Sequence, residues 1–228
     1  MRTVLITAFP AGPLAANCYV VAPAAGAECV IVDPGQQATD GVSQLVREHD
    51  LTPAAVLLTH GHFDHVLSAA EVCATYGVPA RVHADDRELL TNPAKGLDPG
   101  LGGQLSALLG DTEMVEPEGL AELSGGERLT DAGLDLTARH VPGHTPGSVA
   151  YALATGSGEP DVVFTGDLLF AGSIGRTDFP GGDHPTILRS LAEVCREYPE
   201  ETVVLPGHGP RTTVGRERAS NPFLRDLG

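Results

Sequence analysis

Along the chain, short apolar runs rich in Val and Ile alternate with segments whose apolar residues recur at helical spacing. Val4 to Phe9, Cys18 to Ala22 and Cys29 to Asp33 read as strands bounded by Gly and Pro. Asp33-Pro34-Gly35 reads as a turn. Val42, Leu45 and Val46 then mark one face of a helix from about Thr39 to His49. Ala54 to Leu58 is a wholly apolar strand. A second helix is predicted from about His65 to Tyr76, stopped by Gly77, followed by a strand at Ala80 to His83 and a short helix at Asp85 to Leu90. Residues 91–118 show no clear period, which in a compact domain points to a functional loop or lid. Within it, Leu101, Leu105 and Leu108 align on one helical face. Further strands are predicted at Arg128 to Thr130, Leu134 to Val141, Ser148 to Thr155 and Val162 to Thr165. Thr186 to Tyr198 follows as an amphipathic helix and Thr202 to Leu205 as the last strand. This order fits two sheets covered by helices. No Ser/Gly/Pro linker cuts the chain into balanced halves, so residues 1–228 are expected to form a single domain.

Composition narrows the functional classes. With 228 residues, 42% of them hydrophobic, the chain can bury a sizeable core. The 28 Gly and 18 Pro scatter between the apolar runs, as tight turns require. A formal net charge of −16 repels phosphate backbones and anionic headgroups, which disfavours nucleic-acid and membrane-surface roles. No apolar run approaches the roughly 20 residues of a membrane span. Arg2 and the apolar Val4-Leu5-Ile6 faintly imitate a secretion signal, but Pro10, Gly12 and Pro13 break the run early. Cys18, Cys29, Cys73 and Cys195 form no C-x-x-C pair and read as free thiols of a reducing cytosol. The expected location is therefore cytoplasmic.

The chemistry concentrates in Thr59-His60-Gly61-His62-Phe63-Asp64-His65, where an apolar strand gives way to a helix. His60, His62, Asp64 and His65 place four possible metal ligands within six residues. Zinc takes imidazole nitrogen and carboxylate oxygen at about 2.0–2.2 Å, so its ligands must converge tightly. Three more segments share this character: Gly143-His144, Gly166-Asp167 and Gly207-His208. Each puts a possible ligand just beyond a strand, directly after a Gly, where open sheets commonly carry their sites. One such His alone is ordinarily solvated; the dense motif together with three strand-end ligands points to a metal centre. His83 and His140 read as groups standing behind the ligands, His49 as a helix-surface residue, His184 as part of a helix start, and Phe63 as a packing residue.

These residues resemble the metallo-β-lactamase superfamily, and within it the short glyoxalase II-like (hydroxyacylglutathione hydrolase-like) enzymes. The H-x-H-x-D-H motif with a later His, Asp and His carries the superfamily resemblance. Gly166-Asp167-Leu168-Leu169-Phe170 through Gly172-Ser173-Ile174-Gly175-Arg176-Thr177-Asp178 carries the subgroup. The resemblance implies an α/β (α+β) architecture, a four-layer αββα sandwich with the site along one edge. It implies that His60, His62 and His144 hold a first metal and that Asp64, His65 and His208 hold a second. Asp167 would bridge them, and Asp33 would orient a ligand histidine from behind. Two divalent ions are implied, zinc foremost, with iron and manganese also suited to such donors. Arg176, just beyond Asp167, is the candidate anchor for a substrate carboxylate; the plainer reading is a surface arginine paired with Asp178 or Asp183.

Two divalent ions bring four positive charges, of which Asp64, Asp167 and a bridging hydroxide remove three, leaving about +1. Such a site attacks a carbonyl with its hydroxide, while a thiolate leaves readily because its conjugate thiol has a pKa of about 8.5. The expected reaction is hydrolysis of a small thioester such as S-lactoylglutathione, with Asp64 available to move a proton. Only about twenty residues follow His208, so the helical C-terminal domain through which longer glyoxalase II enzymes bind glutathione has no counterpart in this sequence. Another thiol is therefore open. Lys95 is the single lysine, a bias that suits a high-GC genome and makes mycothiol a candidate. The alternatives are an iron-dependent persulfide dioxygenase or a lactonase on the same fold. A β-lactamase is disfavoured by His65 and by the broken leader, and a nuclease by the acidic charge. A purely structural metal module is disfavoured because seven ligands on two ions leave room for water. A small-molecule thioester is the one partner expected, and the oligomeric state is left open.

Overall fold

Alternate residues of the central strands belong to different cores. On one strand Val20 packs outward and Val21 inward; on another Val163 packs outward and Phe164 inward. The computed structural model describes residues 4–98, 100, 109, 113–156 and 158–225. Six strands form the first sheet: β1 (Leu5–Ala11), β2 (Ala16–Ala22), β3 (Glu28–Val32), β4 (Thr52–Leu57), β5 (Ala80–His83) and β6 (Ala121–Leu123), in that spatial order. The second sheet is built from β7 (Arg128–Leu129), β8 (Leu136–His140), β9 (Val149–Leu153), β10 (Val162–Gly166), β13 (Val203–Pro206) and β14 (Thr212–Thr213), in the order β14-β13-β10-β9-β8-β7. A two-stranded ribbon, β11 (Leu169–Phe170) and β12 (Ser173–Ile174), stands apart from both.

The inner faces meet through Val21, Val30 and Leu57 on one side and Leu136, Tyr151 and Phe164 on the other. Helices α1 (Thr39–Glu48) and α3 (Ala69–Tyr76) cover the outside of the first sheet. Helix α4 (His184–Glu197) covers the outside of the second with Ile187, Leu191 and Val194. The result is an αββα sandwich. Strands buried on both faces read as continuous apolar runs, as the sequence does at Cys29 to Val32 and at Val162 to Phe164. Polar bonds tie the two sheets together near one edge. The Tyr151 hydroxyl donates to the Leu58 carbonyl (2.9 Å) and the Tyr19 hydroxyl to the Pro206 carbonyl (2.6 Å).

The helix predicted from His65 to Tyr76 is two pieces, α2 (Phe63–Val66) and α3. Ser68 breaks it: its N–H donates to the Pro34 carbonyl and its hydroxyl accepts from the Ala38 N–H, so this turn is bound to the loop after β3. The predicted strand Leu134 to Val141 begins later, at Leu136, because Asp131–Gly133 forms a 3-10 turn. Strands β6, β11, β12 and β14 have two or three residues each, too short to show a period. The segment 91–118 contains a 3-10 turn, Pro93–Gly96, and Met114 packs on the outer core of the first sheet. The helical face of Leu101, Leu105 and Leu108 lies outside the described residues. Among the described residues no helix is long and apolar enough to cross a membrane. The chain closes with helix α5 (Val214–Ser220).

Candidate metal centre

Strands β3, β4, β8, β10 and β13 all point their C-terminal ends at one edge of the sandwich. The residues immediately beyond them are Asp33, the Thr59–His65 motif, the loop to His144, Asp167 and His208. The predicted ligand residues therefore meet although they are up to 148 positions apart in sequence (His60 to His208). His60, His62 and His144 place one donor atom each within 4.8 Å of one another, and so do Asp64, His65 and His208. Asp167 lies between these groups. Its Oδ1 is 3.5 Å from His65 Nε2, and its Oδ2 is 3.6 Å from His144 Nε2 and 3.7 Å from His208 Nε2. Gly207 makes room for that carboxylate, since a Cβ there would stand 2.2 Å from Asp167 Oδ1 and 2.8 Å from His65 Cε1.

The donor set fits cations. His62 Nδ1 lies 2.9 Å from His144 Nε2, and His65 Nε2 lies 3.1 Å from His208 Nε2. Two imidazole lone pairs at such distances repel unless a proton or a cation sits between them. His60 Nε2 and Asp167 Oδ1 are buried without a hydrogen-bond partner, a state that is rare unless a water or ion completes it. Burial, and then the neighbouring imidazoles, lower the pKa of His60 well below the usual range; the same causes lower His62 to about 3. His60 and His62 are thus neutral rings whose lone pairs are open to a cation. On the other side burial opposes charge at His65, yet Asp64, Asp167 and Asp33 together raise it to about 10. Asp64, likewise opposed by burial, is held below the usual carboxylate range by His65 and His208. A cation entering there displaces a proton from His65.

Groups behind the donors fix their orientation. Asp33, 2% exposed, accepts at Oδ1 from the Thr59 N–H (2.7 Å), and at Oδ2 from the Thr59 hydroxyl (2.6 Å) and His65 Nδ1 (3.0 Å). It lies close enough to His60 and His65 to form a third donor group, but its oxygens are already engaged by these three donors. Thr59 Oγ1 in turn sits 3.0 Å from His60 Nδ1. His144 Nδ1 donates to the Arg176 carbonyl (2.8 Å). The Arg176 side chain is half-exposed, paired in two-pronged fashion with Asp178 and laid over the Phe179 ring at 3.6 Å. It is thus the surface pair of the plainer reading, at the rim beside His62, whose ring centroid is 6.2 Å from that of Phe179. Phe170 flanks His208 at the same separation on the opposite side. Phe63 is buried.

Among the described residues His83 and His140 bond to none of the ligand side chains; His140 reaches only the Pro146 carbonyl of the His144 loop. Their rings stack face to face, centroids 4.1 Å apart and planes within 10°. With Asp85 they are close enough to suggest a further metal group, but in-plane lone pairs on parallel rings cannot converge on one ion. His184 opens α4 as expected. Asp86, fully buried and bonded to both ligand loops, carries no signal in the sequence: an Asp in a short polar turn is ordinarily solvated.

A sandwich of two mixed sheets whose strand ends gather five imidazoles and two carboxylates defines a metal-binding α/β protein of the hydrolase type. The chain belongs to the metallo-β-lactamase superfamily, whose model matches residues 11–208. An uncharacterized protein of Mycobacterium tuberculosis is 47% identical over 98% of this chain and 99% of its own length. The hydroxyacylglutathione hydrolase GloC of Haemophilus influenzae is 37% identical, covering 85% of this chain and 86% of itself. Among solved structures, the B3 metallo-β-lactamase BLEG-1 superposes with a TM-score of 0.81 at 37% identity, covering 97% of this chain and 100% of that one. The protein TTHA1623, solved in a di-iron-bound form, superposes with a TM-score of 0.76 at 36% identity, covering 96% and 100%.

Proposed function

We propose that this protein hydrolyses a small thioester, an S-2-hydroxyacyl thiol, at a pair of divalent cations. The observation that carries the reading is the placement of Asp167 between two three-donor groups. In this assignment His60, His62 and His144 would hold one cation and Asp64, His65 and His208 the other, with Asp167 available to both. Bound there, such cations supply an ionised water near neutral pH and a Lewis acid for a carbonyl oxygen.

The chain's own groups do the rest. Asp33 and the Arg176 carbonyl hold His65 and His144 with their other ring nitrogens turned to the centre. Asp64, beside His208 at 3.3 Å, would be the group that moves a proton. Phe170 and Phe179 wall the two sides and limit water. The guanidinium of Arg176 takes a substrate carboxylate by exchanging it for Asp178; an exposed ion pair of this kind is worth little, about 0–1 kcal/mol, so the exchange is cheap. The leaving thiolate needs no protein acid. Zinc is the proposed metal, with iron and manganese as outcomes of metal analysis.

Similarity to the hydroxyacylglutathione hydrolase of Haemophilus supports thioester hydrolysis, and similarity to the B3 metallo-β-lactamase BLEG-1 supports β-lactam hydrolysis as a second reading. Metal analysis followed by a panel of glutathione, mycothiol and coenzyme A thioesters, with a cephalosporin, a homoserine lactone and a glutathione persulfide alongside, separates them. Thiol release from the thioesters is expected. Turnover of the cephalosporin or lactone alone, or oxygen uptake with the persulfide, would replace the proposal.

A further inference from the structure

We infer that Asp86, in the 3-10 turn Ala84–Leu90, is the positioning residue that sets the spacing of the His60/His62/His144 group. Asp86 has no exposure to solvent. Its Oδ2 accepts from the Gly61 N–H (2.8 Å) and the Thr145 hydroxyl (2.6 Å), and its Oδ1 accepts from the Gly147 N–H (2.7 Å). Gly61 separates His60 from His62, and Thr145 directly follows His144. One carboxylate thus joins the loop carrying two of these histidines, which leaves the first sheet, to the loop carrying the third, which leaves the second sheet.

The joint is built closely on both sides. A Cβ at Gly147 would stand 2.6 Å from the Asp86 carboxyl carbon, so this position leaves no space for a side chain. Thr145 and Ser148 share a hydroxyl contact of 2.7 Å beneath the carboxylate. The turn itself is anchored at its start, where His83 Nδ1 accepts from the Asp85 N–H. His83 stacks on His140, whose Nε2 donates to the Pro146 carbonyl in the same His144 loop. No Arg or Lys hydrogen-bonds or ion-pairs with Asp86 among the described residues; amide and hydroxyl dipoles hold it. A buried carboxylate held this way is costly to the fold, which is intelligible if its work is to fix two loops.

Asp86 touches none of Asp64, His65 or His208 by any hydrogen bond of the structure. Its loss therefore acts on one donor group and spares the other, whatever the substrate proves to be. Partners behind a ligand are worth 10–100-fold in metal affinity. The test uses full-length protein stripped of metal and titrated with zinc against a chromophoric chelator. Two backgrounds isolate the groups: His208→Ala leaves the His60/His62/His144 group intact, and His144→Ala leaves the Asp64/His65/His208 group. Asp86→Asn is expected to weaken zinc binding at least tenfold in the His208→Ala background and less than twofold in the His144→Ala background. Thr145→Val, which removes one of the three donors, carries the same test if Asp86→Asn does not fold, and Thr145→Ser is expected to restore affinity. Equal weakening in both backgrounds assigns Asp86 a general structural role and overturns the inference. Unchanged affinity in both, for Asp86→Asn or for Thr145→Val, overturns it as well.

Discussion

Changing Asp33 to Asn alters one atom, yet it is expected to reverse a chain of protons. As a carboxylate, Asp33 accepts from His65 Nδ1 and from the Thr59 hydroxyl at the same oxygen. With its Nδ1 proton held there, His65 presents an Nε2 lone pair once an entering cation has displaced the second proton. Thr59, having donated to Asp33, is left to accept from His60 Nδ1, so His60 also keeps its Nε2 lone pair. In Asp33→Asn the carbonyl oxygen can stay with the Thr59 N–H, which puts the amide NH2 against His65 Nδ1 and the Thr59 hydroxyl. His65 Nδ1 must then accept and carry its proton on Nε2. Thr59 must donate to His60 Nδ1, which moves the His60 proton to Nε2 as well. Both rings present N–H where a cation needs a lone pair.

The fold should lose only about 1–2 kcal/mol, because each buried donor and acceptor still has a partner. Metal affinity should fall by about 100-fold, or ~2.7 kcal/mol, since two ligands are affected at 10–100-fold per orienting partner. Asp33→Ala separates the effects. It removes the acceptor without supplying a donor, leaving Thr59 and His65 donors unsatisfied at 1–3 kcal/mol each by the usual rough scale, so it should harm the fold more and the tautomers less. Urea unfolding of metal-free protein and zinc titration read the two quantities. The reasoning is refuted if Asn and Ala rank in the same order in both assays, or if Asp33→Asn binds two zinc ions as tightly as the parent.

Gly207→Ala places a methyl against Asp167 and His65 and should lower kcat by about 100-fold or more with a near-normal circular dichroism spectrum, as misplacement by an ångström can do; wild-type kcat would show that the close approach is immaterial. Arg176→Ala should raise KM for carboxylate-bearing thioesters about fivefold, while Asp178→Asn, which frees the guanidinium, should lower it. Parallel shifts in the two variants would remove Arg176 from substrate binding. Tyr151→Phe leaves the buried Leu58 carbonyl without its donor and should reduce stability by about 1–2 kcal/mol at unchanged denaturant m-value; an unchanged midpoint would mean another donor replaces the hydroxyl.

Much of the centre was legible because its signals are local. Thr59 to His65 compresses four donors into one turn, and Gly143-His144, Gly166-Asp167 and Gly207-His208 each mark a strand end where the chain must bend. The strands buried on both faces were legible as apolar runs for the same reason. The misses follow from tertiary closure. Ser68 sits in an unbroken apolar period, and only its bonds to Pro34 and Ala38 reveal that the helix stops there. Strand β6 exists because β5 offers it an edge, since three residues have no period of their own. Asp86 is buried by two loops arriving from different sheets, so nothing near it in sequence marks it. For Arg176 the sequence offers both an anchor and a surface pair, because whether its charge is free depends on a partner two residues away; the structure pairs it with Asp178.

The central claim is that this cluster, loaded with two cations, turns over a thioester. Thiol release from S-lactoyl thioesters, followed while zinc is added stepwise to metal-depleted protein, addresses it most directly. Activity should be absent without metal and climb to a plateau at two equivalents. A plateau at one equivalent, or no thiol released from any of the three thiol classes at full loading, would contradict it.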